Sequence, residues 1–407
     1  MKHAQRRATM SGIILFTVFA CLALSGCEDP GTVGSGFTDT GTEIEVDTMQ
    51  VSDLQTERFS YFTGRLTFIS AGRFNDPLFG DMEAVGLMRP ALSSADSDTM
   101  QEEAGMRLRL FFDQDAFYGN SEGSAEFDLV ELDQIWRGKA WKITDEAQLS
   151  VNPPLASFSV GTQDSIEVSL PGQWVEKYRN FFESEAADRD SLYRIDFPGL
   201  ALVPRNSAKI VPFFADSTRF IIENPDEDTV QVGLNDWAYS LDRDNRPPTP
   251  AGSFEAHSTL EHVFNFDMQL NRDALGTVNI SRVELVFFEN RSLLSGSLSS
   301  SEQRPGITGA NLFLLEPDQA PAGLDVGSPV VSGQYVEEDG SIRFNLTTFV
   351  NSILLDDLAS QLQYYVALQS TDGIIRSSLL HDNQGPPARQ PKIIVTVIQN
   401  ESEDSSI

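Results

Sequence analysis

Cysteine is nearly missing from this chain: of 407 residues, only Cys21 and Cys27 carry a thiol, and both lie at the extreme amino end. No disulfide can therefore staple the body of the protein, whose fold must rest on packing alone even in an oxidising compartment. Lysine is almost as scarce. Six lysines stand beside 23 arginines, and against 60 acidic residues they leave a net charge of −31. A surface this negative repels nucleic acid and anionic lipid heads, so nucleic-acid binding is excluded as a main role. Acid excess with little lysine is also the pattern of proteins from salty environments. There are only four histidines, no P-loop and no G-x-G-x-x-G, so the common signatures of nucleotide enzymes are absent. No run of about 20 apolar residues is present to cross a bilayer as a helix.

What is present begins with the leader. Lys2, Arg6 and Arg7 precede any acid, and the apolar run Ile13–Leu24 is only 12 residues long. A positive start, a short apolar centre and small residues at its end predict a secretory signal over 1–26. The ending Leu24-Ser25-Gly26-Cys27 resembles a bacterial lipobox. That resemblance implies cleavage between Gly26 and Cys27 and acylation of the Cys27 thiol, so that the membrane partner is reached through an amino-terminal lipid. One acyl chain binds only marginally, and lipoproteins of this kind resemble one another in carrying several. Loss of the leader removes three positive charges and takes the net charge to −34. Residues 27–41, rich in Gly, Thr and Asp, read as a flexible tether. Glu28 and Asp29 resemble the surface-export signal of Bacteroidota lipoproteins, which implies an outer-membrane protein facing the cell surface rather than the periplasm.

Beyond the tether the chain alternates apolar and polar residues with turn clusters every 8–15 positions, the signature of strands. Five segments recur in order: "EAVGLMRPAL" (83–92) with "EHVFNFDMQL" (261–270), "RLRLFF" (107–112) with "VELVFF" (283–288), "FDLVEL" (127–132) with "LFLLEP" (312–317), "SIEVSL" (165–170) with "SIRFNL" (341–346), and "LAL" (200–202) with "VAL" (366–368). A near-constant shift in conserved order marks an internal repeat. A helix is predicted after each "SI" strand. Trp174, Tyr178, Phe181 and Phe182 form an apolar stripe in the first; Val350, Ile353, Leu354 and Leu358 form one in the second. The expected architecture is all-β: two tandem jelly-roll-like β-sandwiches, 42–224 and 225–400, each with one short helix, joined at "PDEDT" (225–229) and followed by a loose acidic tail, 401–407.

"GRFNDPLFGDMEA" (72–84), "FYGN" (117–120) with the strand that follows it, "DPGTVGSGF" and the closing "RQPKIIVTV" resemble an uncharacterised Bacteroidota lipoprotein family, domain of unknown function 4270. Each half, through segments such as "RFNLTTFVNSILL", is also similar to lectin-like jelly rolls named after a DNRLRE motif, some of which bind polysaccharide; the motif itself is absent. Membership implies an envelope lipoprotein and assigns no reaction.

Candidate sites follow from residue chemistry. Asn75, Asp76, Pro77, Phe79 and Gly80 form either a recognition loop or a turn in which Pro77 and Gly80 set the backbone and Phe79 plugs a sandwich end; Asp-Pro and Gly already account for a turn. Asp113 with Asp115, and Asp242 with Asp244, place acids two apart as candidate Ca2+ ligands, without the full calcium-loop pattern. Trp136 with Trp141, and Trp237 with Tyr239, are candidate glycan platforms, although large aromatics more often serve the core. His257 and His262 stand five apart, which does not match a two-histidine zinc helix. No catalytic residue is assigned; a carboxylate pair for glycoside cleavage is the enzymatic alternative. The expected function is a non-enzymatic outer-membrane lipoprotein binding another envelope component, with a surface glycan-binding protein as the alternative.

Overall fold

The computed structural model describes residues 42–400 except 93–99, 186, 227, 260, 269–278, 316–328, 356–362 and 370–371. Gly26, Cys27, the tether and the tail lie outside the described residues, as does Leu358. The chain is all-β with a few short helices.

The first repeat contributes β1 (Thr42–Gln50), β2 (Ser52–Arg58), β3 (Phe68–Asp76), β4 (Gly80–Pro90), β5 (Gly105–Phe111), β6 (Tyr118–Asn120), β7 (Ala125–Glu131), β8 (Ala156–Val160), β9 (Ser165–Ser169), helices α1 (Gly172–Phe182) and α2 (Arg189–Asp196), then β10 (Leu200–Pro204), β11 (Lys209–Phe214) and β12 (Arg219–Glu223). The second contributes β13 (Thr229–Val232), β14 (Leu234–Asp244), β15 (Ser253–His257), β16 (His262–Asp267), β17 (Asn279–Phe288), α3 (Arg291–Ser297), β18 (Glu302–Gln303), β19 (Gly309–Leu315), β20 (Val331–Val336), β21 (Ser341–Asn345), α4 (Thr347–Leu355), β22 (Gln363–Leu368), β23 (Ser377–His381) and β24 (Lys392–Asn400).

The two sets pair alike. β3 pairs β4 and β11, as β15 pairs β16 and β23. β10 lies between β4 and β7, as β22 lies between β16 and β19. β5 lies between β9 and β12, as β17 lies between β21 and β24. Two features break the likeness: β20 joins β21, so the second half is one curled 11-stranded sheet, whereas the first half splits into sheets of nine and four strands; and β6 pairs both β11 and β18, the latter from the second half. In the first half these sheets enclose Ile69, Leu108, Phe127, Leu202, Phe213 and Phe220; in the second the sheet curls around Phe264, Leu285, Phe287, Phe344 and Val395.

The opening strands depart from tandem sandwiches. β1 pairs β24, and β2 pairs β16, both in the second half. β13 and β14 pair β12 and β4, in the first half. Each repeat thus gives its first two strands to its neighbour, a reciprocal exchange. The expected division at 224/225 marks the repeat in sequence but not the separation of the sheets. "PDEDT" is correspondingly the turn of the β12–β13 hairpin, where Asn224 N–H donates to Asp228 O at 3.0 Å. The chain crosses between halves at 59–67 and 245–252. Periodicity could not reveal this, because alternation reports which face of a strand is buried and is silent about which copy's edge it joins. The Pro-rich "NRPPTPAG" (245–252) was the available signal.

α1 follows the β9 strand as expected, with Pro171 as its N-cap residue, and buries Trp174, Tyr178 and Phe182. Trp174 is 1 % exposed and stacks on Phe220 with centroids 6.0 Å apart. In α4 only Val350 of the expected stripe has a described side chain, and it is buried. The expected single helix per half is corrected by α2 and α3. These are short and mostly polar, and α2 buries only Tyr193 while α3 buries nothing, so neither leaves an apolar stripe to read.

Candidate functional site

Two places gather chemistry-bearing side chains: the junction between the halves, and a groove on the outer face of the nine-stranded sheet.

The junction is where the turn of the β3–β4 hairpin meets that of the β15–β16 hairpin. Asp76 Oδ1 accepts from Leu78 N–H and Phe79 N–H at 2.8 and 3.1 Å, closing the turn, and Gly80 takes φ +80°. Arg304 from the other half donates to both Asp76 oxygens at 2.7 Å, and Tyr118 Oη donates to Oδ2 at 2.8 Å. Asp76 has no oxygen left for a cation. The Phe79 ring is 1 % exposed, lies edge-on to His257 at 5.2 Å and is covered by the Arg304 guanidinium. The motif is a turn, as its residue types suggested, but Phe79 plugs the seam between the halves rather than the end of one sandwich. Pro77 and Asn75 are exposed.

Behind Phe79 lies a group the spacing of its residues concealed. His257 and His262 face each other across the β15–β16 hairpin, with ring centroids 4.5 Å apart. His257 Nε2 lies 3.1 Å from Glu255 Oε2, and His262 Nδ1 lies 4.0 Å from the same oxygen. These three form the metal-competent cluster found among the described residues. A helix rule does not find them, because a hairpin brings them together. The surroundings oppose a cation. Arg243 and Glu261, each 1 % exposed, form an ion pair, with Arg246 and Arg58 also on Glu261. Three arginines against two carboxylates already leave one positive charge in excess. Arg246, which only donates, reaches His262 Nε2 at 3.3 Å and occupies that nitrogen's lone pair.

Burial pushes His257 well below the ordinary histidine range, with Arg243 adding to it, and lowers His262 to about 4. Burial, the largest single influence, would alone raise Glu261; the Arg243 guanidinium together with the neighbouring His257 and His262 outweighs it and holds the carboxyl at about 2. Ser377 Oγ completes a chain to His257 Nδ1 at 2.9 Å. Serine, histidine and glutamate in sequence is the order a nucleophile needs. Here Oγ is held from the other side by Arg243 Nη2 at 3.2 Å, and Ser377 is 4 % exposed. The cluster holds the seam together.

The groove collects the other candidates. Along β4 and β14, Asp81 faces Asp244, Glu83 faces Asp242, Val85 faces Ser240 and Leu87 faces Ala238. The segment 132–149 arches over the apolar end, tied by Ile143 N–H to Tyr61 O at 2.7 Å and Leu241 N–H to Ile143 O at 2.8 Å. At that end Trp136 and Trp141 stand edge to face, 5.9 Å apart, and line a cavity of about 220 Å3 with Asp145 and Glu146 beside it. Two further hollows, of about 550 and 440 Å3, continue the groove past Glu83 and Asp242 to Asp81 and Asp244.

The structure therefore joins Trp136 and Trp141 to Asp242 and Asp244 in one channel, but not as the expected platforms. Trp136 is 5 % exposed, with its N–H given to Pro198 O at 2.7 Å, and Trp141 is half-buried. Trp237 is partly buried, its N–H bound to Leu66 O at 2.6 Å, and Tyr239 is fully buried. The pair Trp237–Tyr239 is no glycan platform: its rings pack into the protein instead of lying open. Asp113 Oδ1 accepts from Asp115 N–H at 2.9 Å, a local turn, and neither joins a metal-competent cluster among the described residues.

No family model matches the chain, and no curated protein does. Among solved structures, one similarity is to a cryo-EM structure of arabinofuranosyltransferase AftD from Mycobacteria, at 13 % identity over 88 % of this chain and 21 % of that one, with a TM-score of 0.09. Another is to the infectious bursal disease virus Gx strain, at 10 % identity over 89 % of this chain and 76 % of the other, with a TM-score of 0.12. The chain spans about a fifth of the length of the first. Likenesses this weak carry no functional argument.

Proposed function

We propose that the chain is a non-enzymatic, lipid-anchored binding component of the bacterial outer membrane, displayed toward the cell surface. The observation that carries this reading is the groove: a preformed channel on a rigid sheet, walled by a segment tied to both β14 and the first crossing. The titratable cluster at the seam is sealed and mutually paired, which suits a scaffold more than a reaction centre. The leader and Cys27 supply the membrane attachment, and β1 begins directly after the 15-residue tether.

Mass spectrometry of the membrane-extracted protein tests the attachment: it should find an acylated Cys27 at the amino terminus, and Cys27→Ser should release the chain from the membrane fraction. An unmodified thiol or a retained leader overturns the reading. A second reading, glycan binding, draws on the adjacent Trp136 and Trp141; a glycan array probed with the extracted protein distinguishes it, with signal lost in Trp141→Ala.

A further inference from the structure

We propose that the seam is an acid-operated latch: protonation of the facing rings of His257 and His262 parts the tip of the β15–β16 hairpin from the β3–β4 turn, while the exchanged strands keep the two halves joined. The latch goes beyond the binding reading and does not depend on what the groove holds or on the lipid.

The geometry gives an added charge nowhere to go. His257 faces Arg243 from β14, Glu255 from its own strand, Glu261 and His262 across the hairpin, Arg246 from the crossing, Ser377 from β23 and the Phe79 ring from the β3–β4 turn. His262 faces the same Glu255, Glu261, Arg243 and Arg246, with Arg58 opposite it on β2. Beyond Phe79, Arg304 and Asp76 neutralise each other. The nearby acids are already engaged. Glu261 holds Arg243, Arg246 and Arg58, and Glu255 accepts from Thr249 Oγ1 at 2.9 Å besides its contact with His257. Two imidazolium rings 4.5 Å apart would add two positive charges where three arginines already outnumber two carboxylates. Like charges repel strongly in a dry interior, and the repulsion falls once water enters between them.

Two further features show that the closed tip is held at a cost. Thr259, in the turn of the β15–β16 hairpin, takes φ +61°, a left-handed conformation that a β-branched residue rarely adopts. His262 Nδ1 is buried with no hydrogen-bond partner among the described residues and stands 4.0 Å from Glu255 Oε2; water would supply the missing bond. Protons also have a way in. A hollow of about 600 Å3 under α3 is lined by Arg304 and Ser377, and Ser377 Oγ lies 2.9 Å from His257 Nδ1. Burial and the arginines hold both rings below the ordinary histidine range only while the seam is closed. The open form therefore takes up protons first. With open rings at about 6.5, each histidine lowers the closed-to-open ratio roughly twentyfold between pH 7 and 5, and the two together about 400-fold.

The test uses the full protein extracted in detergent, with isotope-labelled histidine. Imidazole titration is followed by NMR, and amide hydrogen exchange is expressed as protection relative to the intrinsic rate at each pH. His257 and His262 should protonate in one step, with a midpoint between about 4 and 6.5. Over the same interval protection should fall at the amides of Phe59, Ser258 and Arg376, whose hydrogen bonds tie down the 258–261 turn. Protection in β5 and β17, inside the two cores, should hold. His262→Gln should cut the fall at the turn between pH 7 and 5 from about 400-fold to about 20-fold, and His381→Gln, away from the seam, should leave it unchanged. Rings that protonate with no loss of protection at the turn would overturn the latch. So would a loss that reaches β5 and β17 at the same pH, which is general acid unfolding, and so would a response abolished by EDTA, which would give the rings to a bound cation.

Discussion

Single residues at the seam carry more than their share of the structure. Arg243 and Glu261 are buried together, and removing Arg243 strips the buried carboxylate of its shortest ion pair and leaves it only the longer contacts to Arg246 and Arg58. Arg243→Ala should lower the unfolding free energy by about 3–5 kcal/mol, measured by urea denaturation. Replacing both partners by apolar residues of similar volume should cost far less. The same cluster sets the response to acid. His262 is held neutral in the folded chain at about 4, against an unfolded value near 6.5. The unfolded chain therefore takes up the proton first, and the stability this histidine contributes is complete above pH 6.5 and lost as pH falls toward 4; His257 acts in the same direction. Glu261, held at about 2, contributes stability that is present above its ordinary value near 4.5 and lost only as pH falls below that. Acid unfolding should thus begin well above the carboxylate range. In His262→Gln, the denaturation midpoint should change less between pH 6.5 and 4.5 than in the parent. These groups were half-legible: the histidines were visible in the sequence, but their spacing suggested nothing until a hairpin turned it into a face-to-face pair.

At the scale of elements, strand order and the helix after each "SI" strand could be read from alternation and from an apolar stripe. Trp174 anchors α1 on the core, and Trp174→Ala should cost about 3–5 kcal/mol, as for other large aromatics removed from a packed interior. What alternation could not supply was the destination of β1, β2, β13 and β14. Each is an amphipathic or exposed strand that would sit equally well, by pattern, on either copy. The exchange makes a definite prediction. Deleting residues 42–58 removes partners of β16 and β24, so amide hydrogen exchange should accelerate at 262–267 and 392–398. The β4–β14 pair in the other half should keep its protection.

For the whole molecule, exchange turns two repeats into one interlocked body. A chain cut after residue 224 yields one fragment that holds two strands of the other's sheet, β1 and β2, and one that holds three, β13, β14 and β18. Expressed separately, 42–224 and 225–400 should each be insoluble or unfolded; expressed together, they should form a stable one-to-one complex, read by size-exclusion chromatography and circular dichroism. Two fragments that fold independently would count against the interlocked arrangement. The charge acts at this scale too. At −31 over the chain, self-repulsion works against the compact state and salt screens it, so the urea midpoint should rise between about 0.01 and 0.5 M NaCl.

The sequence by itself determined the strands, their order, the duplication and the turn built on Asp76, Pro77 and Gly80. These depend on local rules: side chains alternate across a strand, proline and aspartate set turns, and a repeated pattern repeats its fold. Tertiary structure alone decided that the repeats trade their opening strands, that Phe79 seals the seam between halves, and that two tryptophans and two aspartates far apart in the chain share one groove. The reason is that strands join through backbone N–H and C=O groups, which every residue carries alike. Side-chain pattern says which face is buried; only the assembled fold says which edge is joined.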